Sequence, residues 1–242
     1  MALGRGYECH ACGRRYAAGM VRVPRAWGKG GEAMADAANL QLPYPETAIV
    51  AEDSLADQTL ALASDLPERP LVLGGCCCAH IGALEGLAAR RGRIGVVWLD
   101  AHGDLNTPET SPSGDLWGMP LRTAIDSGFV DADDAVLVGA RELDPPEREF
   151  IASSGIHIGI EAVEAALAGT AGAYVALDCD VLDPEEIAVF MPEPDRLSLR
   201  EAEAFLRSLR DRTEVLGLGL SGLAPKPENV EPLTQLCSAL GF

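Results

Sequence analysis

Asp100, His102 and Asp104 alternate over five residues directly after an apolar run, Val96-Val97-Trp98-Leu99. In extended backbone, alternate side chains point the same way. The three donors therefore converge on one point just past a strand end. A second apolar run, Tyr174-Val175-Ala176-Leu177, ends similarly in Asp178-Cys179-Asp180. Four carboxylates and an imidazole are a hard donor set, which suits Mn²⁺ better than a thiolate-rich zinc site does. Two cations held about 3.5–4 Å apart by shared carboxylates can activate a water for hydrolysis. The spacing thus predicts a dinuclear metal centre. Any one of these aspartates alone reads as a loop or helix cap. Two such motifs at two strand ends favour the metal.

The elements that must carry these residues are strands in a layered sheet. Short continuous apolar runs, the mark of a parallel sheet covered on both faces, occur at 20–23, 71–73, 94–99, 135–138, 156–160, 174–177 and 215–220. The segments between them read as helices. Ser198-Leu-Arg-Glu201 is a capping box, and Ala202, Phe205, Leu206 and Leu209 follow on one helical face. The alternation predicts an α/β fold of three layers, α/β/α, with a mainly parallel central sheet. Ligands of open α/β sheets sit beyond the carboxyl ends of the strands, where Asp100 and Asp178 fall. The polar stretch 106–118 is a natural substrate loop.

The 242 residues, 48% hydrophobic, suffice for one sizeable domain. The net charge of −18 argues against binding a nucleic-acid backbone. It mildly favours a cationic or metal-bound ligand, although solubility alone explains much of it. Neither a long apolar run nor a signal-like N-terminus is present, so a cytoplasmic protein with no membrane partner is expected. Three of the seven cysteines are consecutive, Cys76-Cys77-Cys78, which suits a reducing compartment. Residues 1–19 form a short extension with one CxxC knuckle, Cys9 and Cys12. Half a zinc ribbon is one reading and a solvated terminus the other, since a structural zinc needs four ligands. The main domain is expected over 20–242.

From about Val21 onward the sequence resembles the arginase–agmatinase (ureohydrolase) family. Leu73-Gly-Gly-Cys-Cys-Cys78 stands where that family has a Gly-Gly-Asp-His-Ser element. Asp100-Ala-His-Gly-Asp-Leu-Asn-Thr-Pro108 and Ser113-Gly-Asp-Leu-Trp-Gly-Met-Pro120 resemble its main metal motif and substrate loop. Gly139-Ala-Arg-Glu-Leu-Asp-Pro-Pro-Glu147 resembles the segment that holds the substrate amino group in arginases. Ala176-Leu-Asp-Cys-Asp-Val-Leu-Asp-Pro184 resembles the second metal motif.

The resemblance implies the arginase-like fold, two manganese ions, and hydrolysis of a guanidino C–N bond, with L-arginine to ornithine plus urea as the leading reaction. It implies that Asp100 and Asp178 bridge the ions, Asp104 and Cys77 complete one, and His102 and Asp180 complete the other. Asn106 and Ser113 match positions that bind the α-carboxylate. Asp144 matches the position reading the α-amino group, with Glu147 nearby. A small-molecule substrate and a trimeric or hexameric assembly are implied likewise.

Four departures from the family pattern stand out. Cys77 replaces a histidine ligand, and a softer thiolate favours Zn²⁺ or Fe²⁺. His80, one helical turn on, is expected to pack or cap, with replacement ligand as the alternative. Trp117 replaces the proton-shuttling histidine, and an indole cannot transfer a proton. Met191 stands for the threonine facing the substrate. Ser221 or Gly222 stands for the late glutamate that orients the guanidinium, with Glu228 and Glu231 able to return only on an inward-folded loop. The altered end of the pocket is more apolar. An amidohydrolase on a non-guanidino substrate and a metal-binding protein without catalysis are therefore the alternatives. The remaining expectations are structural. His157, Cys179, Cys237, Trp27 and Trp98 read as core, and Gly28-Lys-Gly-Gly31 as a turn after the first strand of the domain.

Overall fold

The computed structural model describes Tyr7–Glu8, Gly13, Arg15–Tyr16 and residues 18–242. Cys9 and Cys12 lie outside the described residues. β1 (Tyr7–Glu8) pairs with β2 (Arg15–Tyr16) in a two-stranded antiparallel ladder. The other strands form one eight-stranded sheet: β3 (Gly19–Val23), β4 (Glu46–Ile49), β5 (Pro70–Gly74), β6 (Gly95–Leu99), β7 (Ala135–Val138), β8 (His157–Ile158), β9 (Ala173–Asp178) and β10 (Val215–Ser221). Their spatial order is β4-β3-β5-β10-β9-β6-β7-β8, and every neighbouring pair is parallel.

The helices are α1 (Glu32–Ala37), α2 (Leu55–Asp65), α3 (Ala79–Arg91), α4 (Pro120–Asp126), α5 (Pro145–Ser154), α6 (Val163–Ala166), α7 (Leu199–Arg212) and α8 (Val230–Ala239). Strand alternation divides the core between two faces. Val97, Leu99, Val175 and Leu177 pack with Leu206 and Leu209 of α7 and Leu233 and Leu236 of α8. Val96, Trp98, Tyr174 and Ala176 pack with Leu62 of α2, Ala83, Leu84 and Leu87 of α3, and Leu121 of α4. Each fully buried Leu or Val stabilises the fold by about 1.5–3 kcal/mol over an exposed one. The expected three layers are present. Ser198 and Glu201 close a reciprocal capping box at the start of α7, as their spacing predicts.

Two sheet-edge expectations need correction. The run at 156–160 contributes only His157–Ile158 to the ladder, and His157 is half-buried on that edge strand, not a core histidine. At the other edge, β4 escapes the apolar-run criterion because three of its four residues are exposed. Its pairing with β3 is reinforced by an ion pair between Arg22 and Glu46.

Strand order explains the site. β5, β10, β9 and β6 are consecutive at the centre of the sheet. Their carboxyl ends therefore bring the segments after Gly74, Ser221, Asp178 and Leu99 together on one rim. No helix among the described residues is long and apolar enough to cross a membrane.

Candidate metal centre

The loop after β6 carries Asp100, His102 and Asp104. Its shape is fixed from several sides. Ala101 O accepts from both Arg141 N and Glu142 N, at 2.8 and 2.9 Å. Asp104 takes φ 54°, a left-handed backbone that Asp tolerates better than most residues. It is held there by Arg122 N donating to Asp104 O and by Leu105 N donating to Glu147 Oε1 at 2.9 Å. Asp178 ends β9, and Asp180 follows in one turn of 3₁₀ helix. Cys77 lies in the turn between β5 and α3.

Two groups of donor atoms result. Cys77, Asp100 and Asp104 offer ligand atoms within 4.8 Å of one another, and so do Asp100, His102 and Asp180. Asp100 belongs to both groups. Asp178 stands against the first, its Oδ2 2.8 Å from Cys77 Sγ. His102 Nδ1 faces Asp180 Oδ2 at 3.0 Å and Asp100 Oδ1 at 3.4 Å. Both central aspartates are oriented by donors. Asp100 accepts from His102 N at 2.7 Å and from the Trp98 indole at 3.1 Å. Asp178 accepts from Asp180 N at 3.0 Å and from Ser221 Oγ at 3.1 Å.

The residues fit a pair of cations. Asp104 Oδ2 is buried with no hydrogen-bond partner, an orphan that a ligated ion would satisfy. Burial, then the charge of neighbouring aspartates, raises every carboxylate of the cluster. Asp178 reaches about 7 and Asp180 about 6. Asp100 is raised and Asp104 raised well above the ordinary range. Burial followed by Asp104, Asp178 and Asp100 pushes the Cys77 thiol up. Burial opposes charge on His102, yet Asp100 and Asp180 hold its imidazole up to about 12. Burial is the larger cause for the carboxylates and the thiol, and like charges at close range add to it.

A stability prediction follows. A carboxylate raised in the folded state binds more protons there than in the unfolded chain, so stability falls as pH rises from about 4 to the folded value. For Asp178 that window ends at about 7. His102 extends the same sign upward to about 12. The metal-free protein should melt at a higher temperature near pH ~5 than near pH ~8. Asp178→Asn should flatten that slope, and scanning calorimetry with an unchanged slope would contradict the assignment.

The cluster forms the floor of a cavity of about 460 Å³. The loop 106–118 makes one wall. Asn106 Nδ2 donates to Asp144 Oδ2 at 2.8 Å, and its Oδ1 accepts from Thr110 Oγ1. Asp144 caps α5 in a box with Glu147, whose Oε2 accepts from Asp144 N. Glu147 is thus engaged by backbone donors on both oxygens while still lining the cavity. Ser113 lines the cavity from an exposed turn. Trp117, Phe190 and Met191 form an apolar wall, the first two rings edge to face at 6.1 Å. Trp117 is seated on the glycine turn, where a Cβ on Gly28 would approach it to 2.3 Å.

Of the two residues expected at the late-glutamate position, Gly222 lines the cavity. Its φ is +70°, and a Cβ there would meet Asp178 Oδ1 at 1.8 Å. Ser221 turns inward to Asp178 and His80. Glu228 and Glu231 are exposed and line no part of the cavity, so neither returns to it. His80 joins neither ligand group. Cys179 and Cys237 are buried as expected.

Sequence reasoning missed three contributors. Glu193 lines the cavity with its Oε1 3.6 Å from His102 Nε2. Arg141 ties that loop down by donating to Pro194 O and Asp180 O. Trp98 is core, yet its indole also orients Asp100. None carries a local spacing signal.

Known proteins resemble this chain in sequence and fold. The family model described as "Arginase family" matches residues 24–239. The arginase of Bacillus subtilis (strain 168) is 36% identical, in an alignment covering 59% of this chain and 57% of that protein. The arginase of Bacillus caldovelox is 37% identical, covering 64% and 62%. The chain thus spans somewhat less than two thirds of these curated relatives. The crystal structure of arginase from Bacillus subtilis superposes with a TM-score of 0.82 at 26% identity, covering 93% of this chain and 98% of that one. A family model matching nearly the whole described sheet, together with its layered fold, places this chain in the Arginase family.

Proposed function

We propose that the protein is a dinuclear-metal hydrolase of a C–N bond in a small guanidino or related amino-acid substrate, with L-arginine, cleaved to ornithine and urea, as the leading candidate. The observation that carries this is the sharing of Asp100 by two donor groups at the floor of one cavity. A bound pair of ions supplies Lewis-acid polarisation and a water activated for attack. Cys77 and Asp104 would hold one ion and His102 and Asp180 the other, with Asp100 and Asp178 available to both. The oxygen-rich set favours Mn²⁺, and Cys77 admits Zn²⁺ or Fe²⁺.

The remaining residues bind and exclude water. The cavity is lined by the further carboxylates Asp115, Glu142, Asp144, Glu147 and Glu193 and, among the described residues, by no Lys or Arg. Such a wall attracts a cationic group. Asp144 takes an α-amino group, and Asn106 and Ser113 an α-carboxylate. Trp117 closes the apolar side without carrying a proton, so solvent or a wall carboxylate protonates the leaving nitrogen. Asp144→Asn keeps a good helix cap but removes the charge. It should raise KM for arginine roughly tenfold to a hundredfold, the worth of a charged hydrogen bond, and leave agmatine nearly unaffected. Urea release measured with both substrates checks this. Agmatine processed as well as arginine by the unmodified protein contradicts an amino-acid site.

A second reading is hydrolysis of a non-guanidino amide. It is favoured by the Trp117, Phe190 and Met191 wall and by Gly222, none of which offers a polar partner to a guanidinium. Ammonia or amine release without urea selects it. Assembly as a trimer or hexamer, and the division into an extension at 1–19 and one domain at 20–242, belong to the same proposal.

A further inference from the structure

Beneath the metal-binding rim, on the α3 face of the sheet, lies a buried polar set that the proposed chemistry leaves unused. His80 is fully buried. Its Nδ1 lies 2.9 Å from the Tyr174 hydroxyl and its Nε2 3.1 Å from Ser221 Oγ. Ser221 Oγ in turn lies 3.1 Å from Asp178 Oδ2. The imidazole stands edge-on to Trp98 at 5.2 Å and to Tyr174 at 5.8 Å. Gly219, in the middle of β10, makes the space. A Cβ there would come within 2.1 Å of the Tyr174 hydroxyl and 2.3 Å of His80 Nδ1. Positions 80, 174, 219 and 221 thus interlock on three different elements.

The chain of hydrogen bonds runs one way. An ionised carboxylate only accepts, so Ser221 donates its single proton to Asp178. Ser221 must then accept from His80 Nε2–H. Burial holds the imidazole down to about 3, so it is neutral, and a neutral ring protonated at Nε2 accepts at Nδ1. The Tyr174 hydroxyl donates there. Every polar group in the set is satisfied in this one arrangement, as a buried network requires.

Asp178 Oδ2 has two neighbours, Ser221 Oγ and Cys77 Sγ at 2.8 Å. A thiol that ligates a cation has lost its proton. Ser221 is then the side-chain donor left on that oxygen. We propose that Tyr174, His80 and Ser221 form a positioning relay that fixes the carboxylate plane of Asp178, and through it the cation held beside Cys77. This rests on the dinuclear reading of the centre. Outer partners of metal ligands are worth roughly 10–100-fold in affinity, and the oxygen that Ser221 holds, Asp178 Oδ2, is the one facing Cys77, so the ion on that side is the more strongly affected.

The test is Co²⁺ titration of the full-length, metal-stripped protein, followed by absorption. Thiolate-to-cobalt charge transfer reports the Cys77 side, and the total ligand-field spectrum reports both ions. Ser221→Ala should weaken the charge-transfer site about 10–100-fold and the other ion distinctly less. Tyr174→Phe keeps the ring and the packing, and should give a smaller loss of the same kind. Gly219→Ala, which forces His80 away, should resemble Ser221→Ala. Wild-type affinity and charge transfer in both Ser221→Ala and Tyr174→Phe would overturn the relay while leaving the dinuclear centre intact. Equal weakening of both ions would also overturn it, since a general structural defect acts that way. A wild-type chain that takes up no cobalt would overturn the dinuclear reading and the relay with it.

Discussion

Asp100→Ala is expected to abolish uptake of the second cation, weaken the first severely, and remove all hydrolysis. Asp100 is the one residue in both donor groups, and it is 1% exposed. Two divalent ions at close range repel strongly unless shared negative charge lies between them. Alanine leaves Asp104 and Cys77 on one side and His102 and Asp180 on the other, with Asp178 alone between them. Folding should survive, because removing a carboxylate that burial already disfavours in its charged form relieves repulsion in the metal-free chain. Metal analysis and calorimetry on the same sample separate loss of the site from loss of the fold. Full metal content with turnover in this variant would place the chemistry elsewhere.

Cys77→His should raise affinity for Mn²⁺ on the Asp104 side, and Trp117→His on that background should raise urea release from arginine. The first effect follows from ligand chemistry. The buried Cys77 thiol is pushed up by its surroundings, so it must lose a proton at a cost before binding. A neutral imidazole carries no such cost and suits a harder ion. The second follows from Trp117 lining the cavity with a side chain that cannot carry a proton. General acid–base assistance contributes typically ~10²–10⁴-fold where the carrier is within reach. The gain here is expected toward the low end, since Gly222 and Met191 leave the guanidinium without its polar partners. Arginine turnover and Mn²⁺ titration for each single variant and the double variant are the measurements. A wild type that already binds two Mn²⁺ tightly and matches the double variant in turnover would make these substitutions neutral. A double variant that binds both ions and stays inert would point to the Met191 and Gly222 side as limiting, and away from arginine.

The parts of this molecule that were legible in sequence are those written in local periodicity. Apolar runs ending in spaced carboxylates placed β6 and β9 and brought their donor side chains together, because alternation in a strand maps spacing directly onto direction. The capping box at Ser198 and Glu201 was legible for the same local reason. What stayed hidden depends on strand order. Ser221, Asp178 and Cys77 meet because β5, β10 and β9 are neighbours in the sheet although remote in the chain. Glu193 reaches His102 because Arg141 ties its loop down. Trp98 looked like packing because nothing in an apolar run reveals that its indole bonds Asp100. His157 misled because an apolar run at a sheet edge resembles one at its centre. The reverse held for β4, whose exposed residues conceal a strand.

The most direct test of the central claim is the number of divalent ions per chain. Purified protein, stripped and then reloaded with Mn²⁺ or Zn²⁺, should bind two per chain by elemental analysis, and the Asp100→Ala variant should bind at most one weakly. Two ions fit the pair of donor groups that share Asp100. A wild type that binds none, or whose ions persist unchanged in Asp100→Ala, would contradict the account.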